Sequence, residues 1–362
     1  MPIVTEHSIK IDAEIPKRDV SMQMDVFYNP VMASNRNISI LLLNSISNSK
    51  MNIADPLAGS GIRSLRFLKE LKRGKIKELY VNDIKENFPQ TFKKNCELNK
   101  IKLSKTLSLH NEEATLFLLH CEGFDYIDID PFGSPNPFLA AALNRISRNG
   151  ILAITATDTA ALSGTYPKVT KRKYWAQSLK NYLMHETGLR ILIRRIQQQG
   201  IQFDKVLIPI LSYHKEHYFR IYFRMIKSKE KCDELVQQHR YFLWCSKCLN
   251  YTTSIFNKEK CSCKNDFLFV GPLWIGDLID QKLVQTMVKN NPFPEEEKFL
   301  KTLAQEENVV GFYDLHQISK VHKTNVLPLE DFLPKVKGTR THFSPMGFKT
   351  KEKIDVILKY LK

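Results

Sequence analysis

FDYIDIDPFGSP, Phe124 to Pro135, is an apolar run closed by an acid, two prolines and a glycine. Phe124, Tyr126, Ile127 and Ile129 have the character of a short buried strand. Asp130-Pro131-Phe132-Gly133 must end it, because proline cannot continue a ladder and glycine permits a sharp turn. In an open α/β sheet, ligands bind just outside the carboxyl ends of the strands, so Asp130 stands where chemistry is usually done. The same residues also describe a strand that simply ends in a turn, with Asp130 capping it.

The flanking sequence alternates strands and helices. Ile9, Ile11, Ala13 and Ile15 suggest a short edge strand. Phe27, Tyr28, Asn29 and Pro30 form a turn-like aromatic knot, and Ser34 or Asn35 is placed to cap a helix through ISILLLNSI. Arg36 falls in that helix's first turn, where the macrodipole gives a cation no benefit; this points to an anionic contact or to a solvated side chain. Met51 to Pro56 reads as a strand running into ADPLAGSGIRSLRFLKEL, a glycine turn and an amphipathic helix. Gly59 and Gly61 allow a tight turn and close approach of a ligand. The third glycine of the dinucleotide fingerprint is missing: Ser64 stands there. KELYVNDI is a second strand ending in Asp83, 22 residues beyond Gly61. An acid at about that distance commonly accepts hydrogen bonds from ribose hydroxyls, although ordinary βαβ punctuation looks the same. A third strand covers Thr106 to Leu109; His110 to Ala114 then serves either as a purine-facing strand end or as a helix cap. Gly150 to Thr155 is a fifth strand. After a helical region at 175–199 come two more strands, Lys205 to Ser212 and His217 to Ile226, joined too closely for a crossover helix.

With 362 residues, 43% of them hydrophobic, the chain has material for two domains. Lys+Arg number 54 against 38 Asp+Glu, a formal net charge of +16, which favours a polyanionic partner such as nucleic acid. The basic residues from Lys168 to Arg195 face a single acid, Glu186, and form either a phosphate-contacting surface or a solvated helix face. No run approaches the roughly 18 apolar residues of a membrane span. MPIVTEHSIKID is too polar for a signal peptide. Seven cysteines without an export signal suggest reduced thiols and a cytoplasmic protein.

Beyond residue 227 the character changes. KSKEKCDELVQQHR is polar and linker-like. Cys245-x-x-Cys248 and Cys261-x-Cys263 follow, a set that can complete a closed, structural zinc site, although the second pair has one intervening residue where fingers usually have two to four. FYDLHQISKVHK and LPLEDFLPKVK suggest two short helices of a winged-helix-like unit. Arg340-Thr341-His342-Phe343 lies in a basic tail whose cations and aromatic suit a nucleic acid. No acid is paired with His342 in the local sequence.

Taken in order, FYNPVMASNR, DPLAGSGIRSLRF, VNDIKEN, DIDPFGSPNPF, ITATDTAALSG, KYWAQSLKNYLMHETGLRIL, YHKEHYFRIY, GPLWIGDL and RTHFSPMGFKT resemble the tRNA (guanine-N2-)-dimethyltransferase family over nearly the whole chain. The fold expected is α/β: a Rossmann-like class I methyltransferase sheet of seven strands with a terminal antiparallel hairpin, followed by a smaller α+β domain. The division expected is 1–227 for methyl transfer and 228–362 for tRNA binding. The resemblance implies S-adenosylmethionine as donor, guanine 26 of tRNA as target, and dimethylation through a monomethyl intermediate; no obligate protein partner is evident in the sequence. Carried over by motif, Arg36, Arg66, Asp83, Glu113 and Ala114 would bind the donor, with Arg66 at its carboxylate and Asp83 at its ribose. Asp130 would be catalytic, and Phe27 and Phe132 would flank the target base. Some members carry a four-cysteine zinc site, here Cys245, Cys248, Cys261 and Cys263. Glu113 stands where an aspartate is frequent. Three rivals are a methyltransferase for another RNA guanine, a tRNA-binding protein with a vestigial site, and a nicotinamide dehydrogenase, which the missing glycine and the terminal hairpin disfavour.

Overall fold

Parallel pairing governs the N-terminal half of the chain. The computed structural model describes residues 2–13 and 28–361; Ile15 and Phe27 lie outside them. A hairpin, β1 (Ile3–Glu6) and β2 (Ile9–Asp12), opens the structure. Then come α1 (Ala33–Ser45), β3 (Met51–Asp55), α2 (Ile62–Glu70), β4 (Ile76–Asn82), α3 (Phe88–Leu98), β5 (Leu107–His110), α4 (Ala114–His120), β6 (Phe124–Ile129), α5 (Leu139–Arg145) and β7 (Ile146–Ala156). Next are α6 (Thr159–Leu162), α7 (Pro167–Tyr174), α8 (Met184–Ile201), β8 (Lys205–Lys215) and β9 (Tyr218–Lys227).

The large sheet has seven strands in the order β5-β4-β3-β6-β7-β9-β8. The pairs β3–β4, β3–β6, β4–β5 and β6–β7 are parallel. The order reverses between β3 and β6, which makes a crevice at their carboxyl ends. β8 and β9 are joined by only Glu216 and His217, so a crossover is impossible and the sheet finishes in a hairpin. Ile53, Leu79, Ile127, Ile129 and Ile154 are fully buried, as expected for strands covered on both faces.

The chain sorts into two compact units: Met1–Thr157 with Tyr222–Ile226 and Thr286–Glu297, and Asp158–Ile221 with Lys227–Gln285 and Lys298–Lys362. In the first, β2 meets α3 through two asparagines: the backbone N–H of Lys10 donates to Asn99 Oδ1 and that of Asp12 to Asn95 Oδ1, each at 2.8 Å. In the second, β10 (His239–Trp244), β11 (Tyr251–Ser254) and β12 (Leu268–Trp274) form a three-stranded antiparallel sheet. Helices Leu315–His322 and Leu329–Phe332 bury Ile318 and Phe332 against Phe348 of a second small sheet.

Local expectations are corrected in four places. Neither Ser34 nor Asn35 caps α1; Asn29 caps a preceding 3-10 turn at Pro30–Met32, and α1 continues from it. Trp175 adopts a left-handed backbone, φ 53°, so α7 stops there and residues 175–183 are not helical. The polar stretch after 227 is a helix, Lys229–Val236, capped by the Ser228 side chain. In the basic tail, His342 and Phe343 are buried instead of facing solvent: His342 Nδ1 lies 2.6 Å from Glu306 Oε2, an acid remote in sequence.

Candidate active site

Three acids and one arginine meet at the carboxyl ends of β3 and β6. Asp55 ends β3, Asp128 lies within β6, and Asp130 follows β6. Arg63, from the first turn of α2, reaches among them. Its Nη1 is 3.2 Å from Asp128 Oδ2 and donates to Ser39 Oγ at 3.1 Å. Its Nη2 donates to Asn35 Oδ1 at 3.0 Å and to Asp130 Oδ2 in a short contact. Asp128 also accepts from the Tyr126 hydroxyl at 2.6 Å. Asp130 remains the partly exposed member, at 18% of its side chain, and Arg63 holds its carboxylate by one oxygen.

One cation cannot neutralise three acids. Burial pushes the Asp55 carboxyl up to about 7; Arg63 and a hydrogen bond from Ser64 oppose this, and the charges of Asp128 and Asp130 reinforce it. Asp55 Oδ2 accepts from Ser64 Oγ at 2.7 Å, so the serine in place of a third glycine has a partner. Sequence reading missed Arg63, Asp55 and Asp128. The signal was present: DID at the end of one strand and an acid ending another require a nearby cation if buried.

The loops beside this cluster are tied by backbone polar groups. Gly61 has φ 76°, and a Cβ there would sit 2.3 Å from the Phe92 ring. The Gly59 N–H donates to Asp83 Oδ2 at 2.8 Å, and the Lys85 N–H to Asp83 Oδ1 at 3.0 Å. Each oxygen keeps a further lone pair for an incoming hydroxyl. Asn82, fully buried, donates to the carbonyls of Pro56 and Glu112 at 3.0 Å and accepts from the Glu112 N–H, joining the loops after β3, β4 and β5. Glu113 caps α4, accepting from the N–H groups of Thr115 and Leu116 at 2.8 and 3.1 Å. Ala114 is the buried first residue of that helix.

Arg36 and Arg66 meet over Glu6. Arg36 Nε donates to Glu6 Oε1 at 2.7 Å, and its Nη2 to Glu6 Oε2 in a short contact and to the Asn29 carbonyl at 3.1 Å. Arg66 is fully buried; Nη1 donates to Glu6 at 2.8 Å, and Nε and Nη2 to Glu70. Burial alone would raise the Glu6 carboxyl, but Arg36, Arg66 and the Tyr28 hydroxyl together hold it at about 2. Phe132 projects outward, 45% exposed, while the Gly133 N–H beside it donates to Thr157 Oγ1 at 2.6 Å. Phe27 is outside the described residues.

The four cysteines come together. Sγ of Cys245 is 3.5 Å from that of Cys263, Cys248 is 3.5 Å from Cys261, and all four lie within 4.8 Å of one another. Zn–S bonds of about 2.3 Å in a tetrahedron require sulfurs roughly 3.8 Å apart. The set therefore fits zinc, and the side-chain amides of Asn265 and Asn250 approach two of the sulfurs.

A seven-stranded sheet of this order, with a glycine turn and strand-end acids at its switch point, defines a class I methyltransferase fold. The family model for N2,N2-dimethylguanosine tRNA methyltransferase matches residues 5–362. The chain belongs to that family. It is 39% identical over 377 aligned positions to the tRNA (guanine(26)-N(2)/guanine(27)-N(2))-dimethyltransferase of Aquifex aeolicus, covering 99% of this chain and 95% of the relative. It is 35% identical to the tRNA (guanine(26)-N(2))-dimethyltransferase of Pyrococcus horikoshii, covering 96% and 95%. The structure of Trm1 from Pyrococcus horikoshii in complex with S-adenosyl-L-methionine superposes over 100% of both chains with a TM-score of 0.88 at 32% identity.

Proposed function

We infer that this chain dimethylates the exocyclic N2 amine of a guanine in tRNA, at position 26, through a monomethyl intermediate. The observation that carries the reading is the extent of the family match, residues 5–362, which includes the donor-side loops and the C-terminal region together. S-adenosylmethionine, when bound, supplies an electrophilic methyl group on a sulfonium. Asp83, fixed by two backbone N–H groups, is the ribose acceptor in this reading. Glu113 and Ala114 lie at the start of α4 on the adenine side. Arg36 and Arg66 present the donor's carboxylate end; Arg66 commits all three nitrogens to Glu6 and Glu70, so Arg36 makes the nearer contact and Arg66 acts through Glu6.

A guanine amine is a poor nucleophile because its lone pair is delocalised into the ring. Arg63 takes Oδ2 of Asp130 and leaves Oδ1 to accept a hydrogen bond from that amine. The backbone carbonyl of Pro131 is the second acceptor, and the lone pair then turns out of the ring plane. After transfer the nitrogen is cationic, and Asp130 takes its proton. Phe132 stacks on the target base, which offsets part of the few kcal/mol needed to unstack it. The sulfur tetrad would hold zinc as a closed structural site and so tie together the turns around β10–β12.

Asp130→Asn should bind donor as tightly as the unaltered chain and lose roughly 10²-fold or more in turnover, read by single-turnover kinetics and calorimetry. Mass spectrometry of nucleosides from unmodified tRNA transcripts tests the whole reading. Dimethylguanosine should form on the unaltered transcript and not on one with adenine at position 26. Product that persists on this transcript and vanishes with adenine at 27 would move the target by one nucleotide. A methylated guanine elsewhere would favour another RNA substrate, and no donor binding at all would favour a vestigial site.

A further inference from the structure

From Thr159 to His185 the chain has no acidic residue. In the middle of this stretch stands α7. Its inner side is fixed: Thr170 Oγ1 is 2.8 Å from Ser178 Oγ, and the Tyr174 hydroxyl donates to both oxygens of Asp158 at 2.7 Å. Its outer side carries Lys168, Lys171 and Arg172, all exposed and spaced i, i+3, i+4 on one face. Like charges at that spacing destabilise a helix, and Lys168 lies in the first turn, where the dipole disfavours a cation, whereas Lys171 and Arg172 lie in the last turn, where it favours them. Local helix stability therefore does not account for Lys168 or for the like-charge spacing; a bound polyanion does.

An exposed aromatic stands at each end. Tyr166 precedes the helix at 58% exposure, and Trp175 follows it at 61%. The left-handed backbone at Trp175 is uncommon for a bulky residue. The Arg195 guanidinium lies 4.6 Å from the indole centroid and packs against it. An anchored helix with three cations between two solvent-facing rings spans about 12 Å at 1.5 Å per residue.

We propose that α7, with Tyr166 and Trp175, is a contact face for the tRNA substrate: Lys168, Lys171 and Arg172 take backbone phosphates, and Trp175 stacks on an unpaired base. The proposal rests on the reading that tRNA is the substrate. An acidic protein surface would also take the cations, but it offers few π faces to two exposed rings, whereas every base has one.

The experiment is binding of an unmodified tRNA transcript to the full chain over a series of salt concentrations. The triple variant K168Q/K171Q/R172Q should weaken binding roughly tenfold or more and reduce the slope of log K against log salt by about 2–3. Trp175→Ala should weaken binding about 5- to 100-fold with the slope unchanged, and Trp175→Phe should restore most of it. Thermal melting of each variant serves as the check on folding. Variants that melt normally and bind tRNA with unaltered affinity and slope would overturn the proposal, while methylation by the unaltered chain would leave the enzymatic reading intact. If the unaltered chain neither binds nor methylates the transcript, both readings fall.

Discussion

Arg63 shows how much rests on one side chain at the acidic end of the sheet. It is buried, contacts Asp128, Asp130, Asn35 and Ser39, and is outnumbered by the carboxylates around it. Burial, reinforced by the charges of Asp128 and Asp130, raises the Asp55 carboxyl. Its raised value, about 7 in the folded chain against 3.8 without burial, means the folded state keeps a proton that the unfolded state gives up. Stability attributable to Asp55 therefore falls as pH rises from about 4 to about 7 and is level above. Asp55→Asn should flatten the decline in melting temperature across that window, measured by calorimetry at several pH values. Glu6 has the opposite sign. Its carboxyl is held at about 2 against 4.5, so its contribution is complete above pH 4.5 and is lost as pH falls towards 2. Glu6→Gln leaves Arg36 and Arg66 without their shared buried counter-charge. Denaturant unfolding at neutral pH should register a loss of about 3–5 kcal/mol.

Among the elements, the turn from β3 into α2 has the least tolerance. Gly61 combines a left-handed φ of 76° with a Phe92 ring where a Cβ would go, at 2.3 Å. Either Phe92 leaves the core or the turn opens, and the turn carries the Gly59 N–H that binds Asp83. Gly61→Ala should cost about 1–3 kcal/mol and lower donor affinity, as read by calorimetric titration. The sulfur tetrad belongs to the turns around β10 to β12. Elemental analysis should find one zinc per chain. A strong chelator, or Cys261→Ser, should lower the melting temperature by several degrees, because ligand geometry replaces a larger hydrophobic core in so small a sheet. Absence of zinc from purified, fully reduced protein would remove the metal from the account.

At the scale of the whole molecule, no helix among the described residues is long and apolar enough to cross a membrane. The alternation of strands and helices, the terminal hairpin and the clustering of the four cysteines were legible in the chain. Apolar runs, turn residues and short connections leave few topologies open. The strand ends that carry Asp83 and Asp130 were legible for the same reason. The environment of each charged side chain was not. His342 has no acid beside it in the local sequence because Glu306 is remote, and its ring and Phe343 are packed in the interior while Arg340 of the same tail stays exposed. Arg190, counted with a basic surface, is buried against Glu186 four residues before it. Arg66 looked free to meet a ligand, yet Glu6 and Glu70 surround it. The sequence by itself determined the sheet and the family, since these follow from local periodicity and ordered motifs. Only the tertiary structure decided which charges face one another, because ion pairing depends on distances between residues remote in the chain.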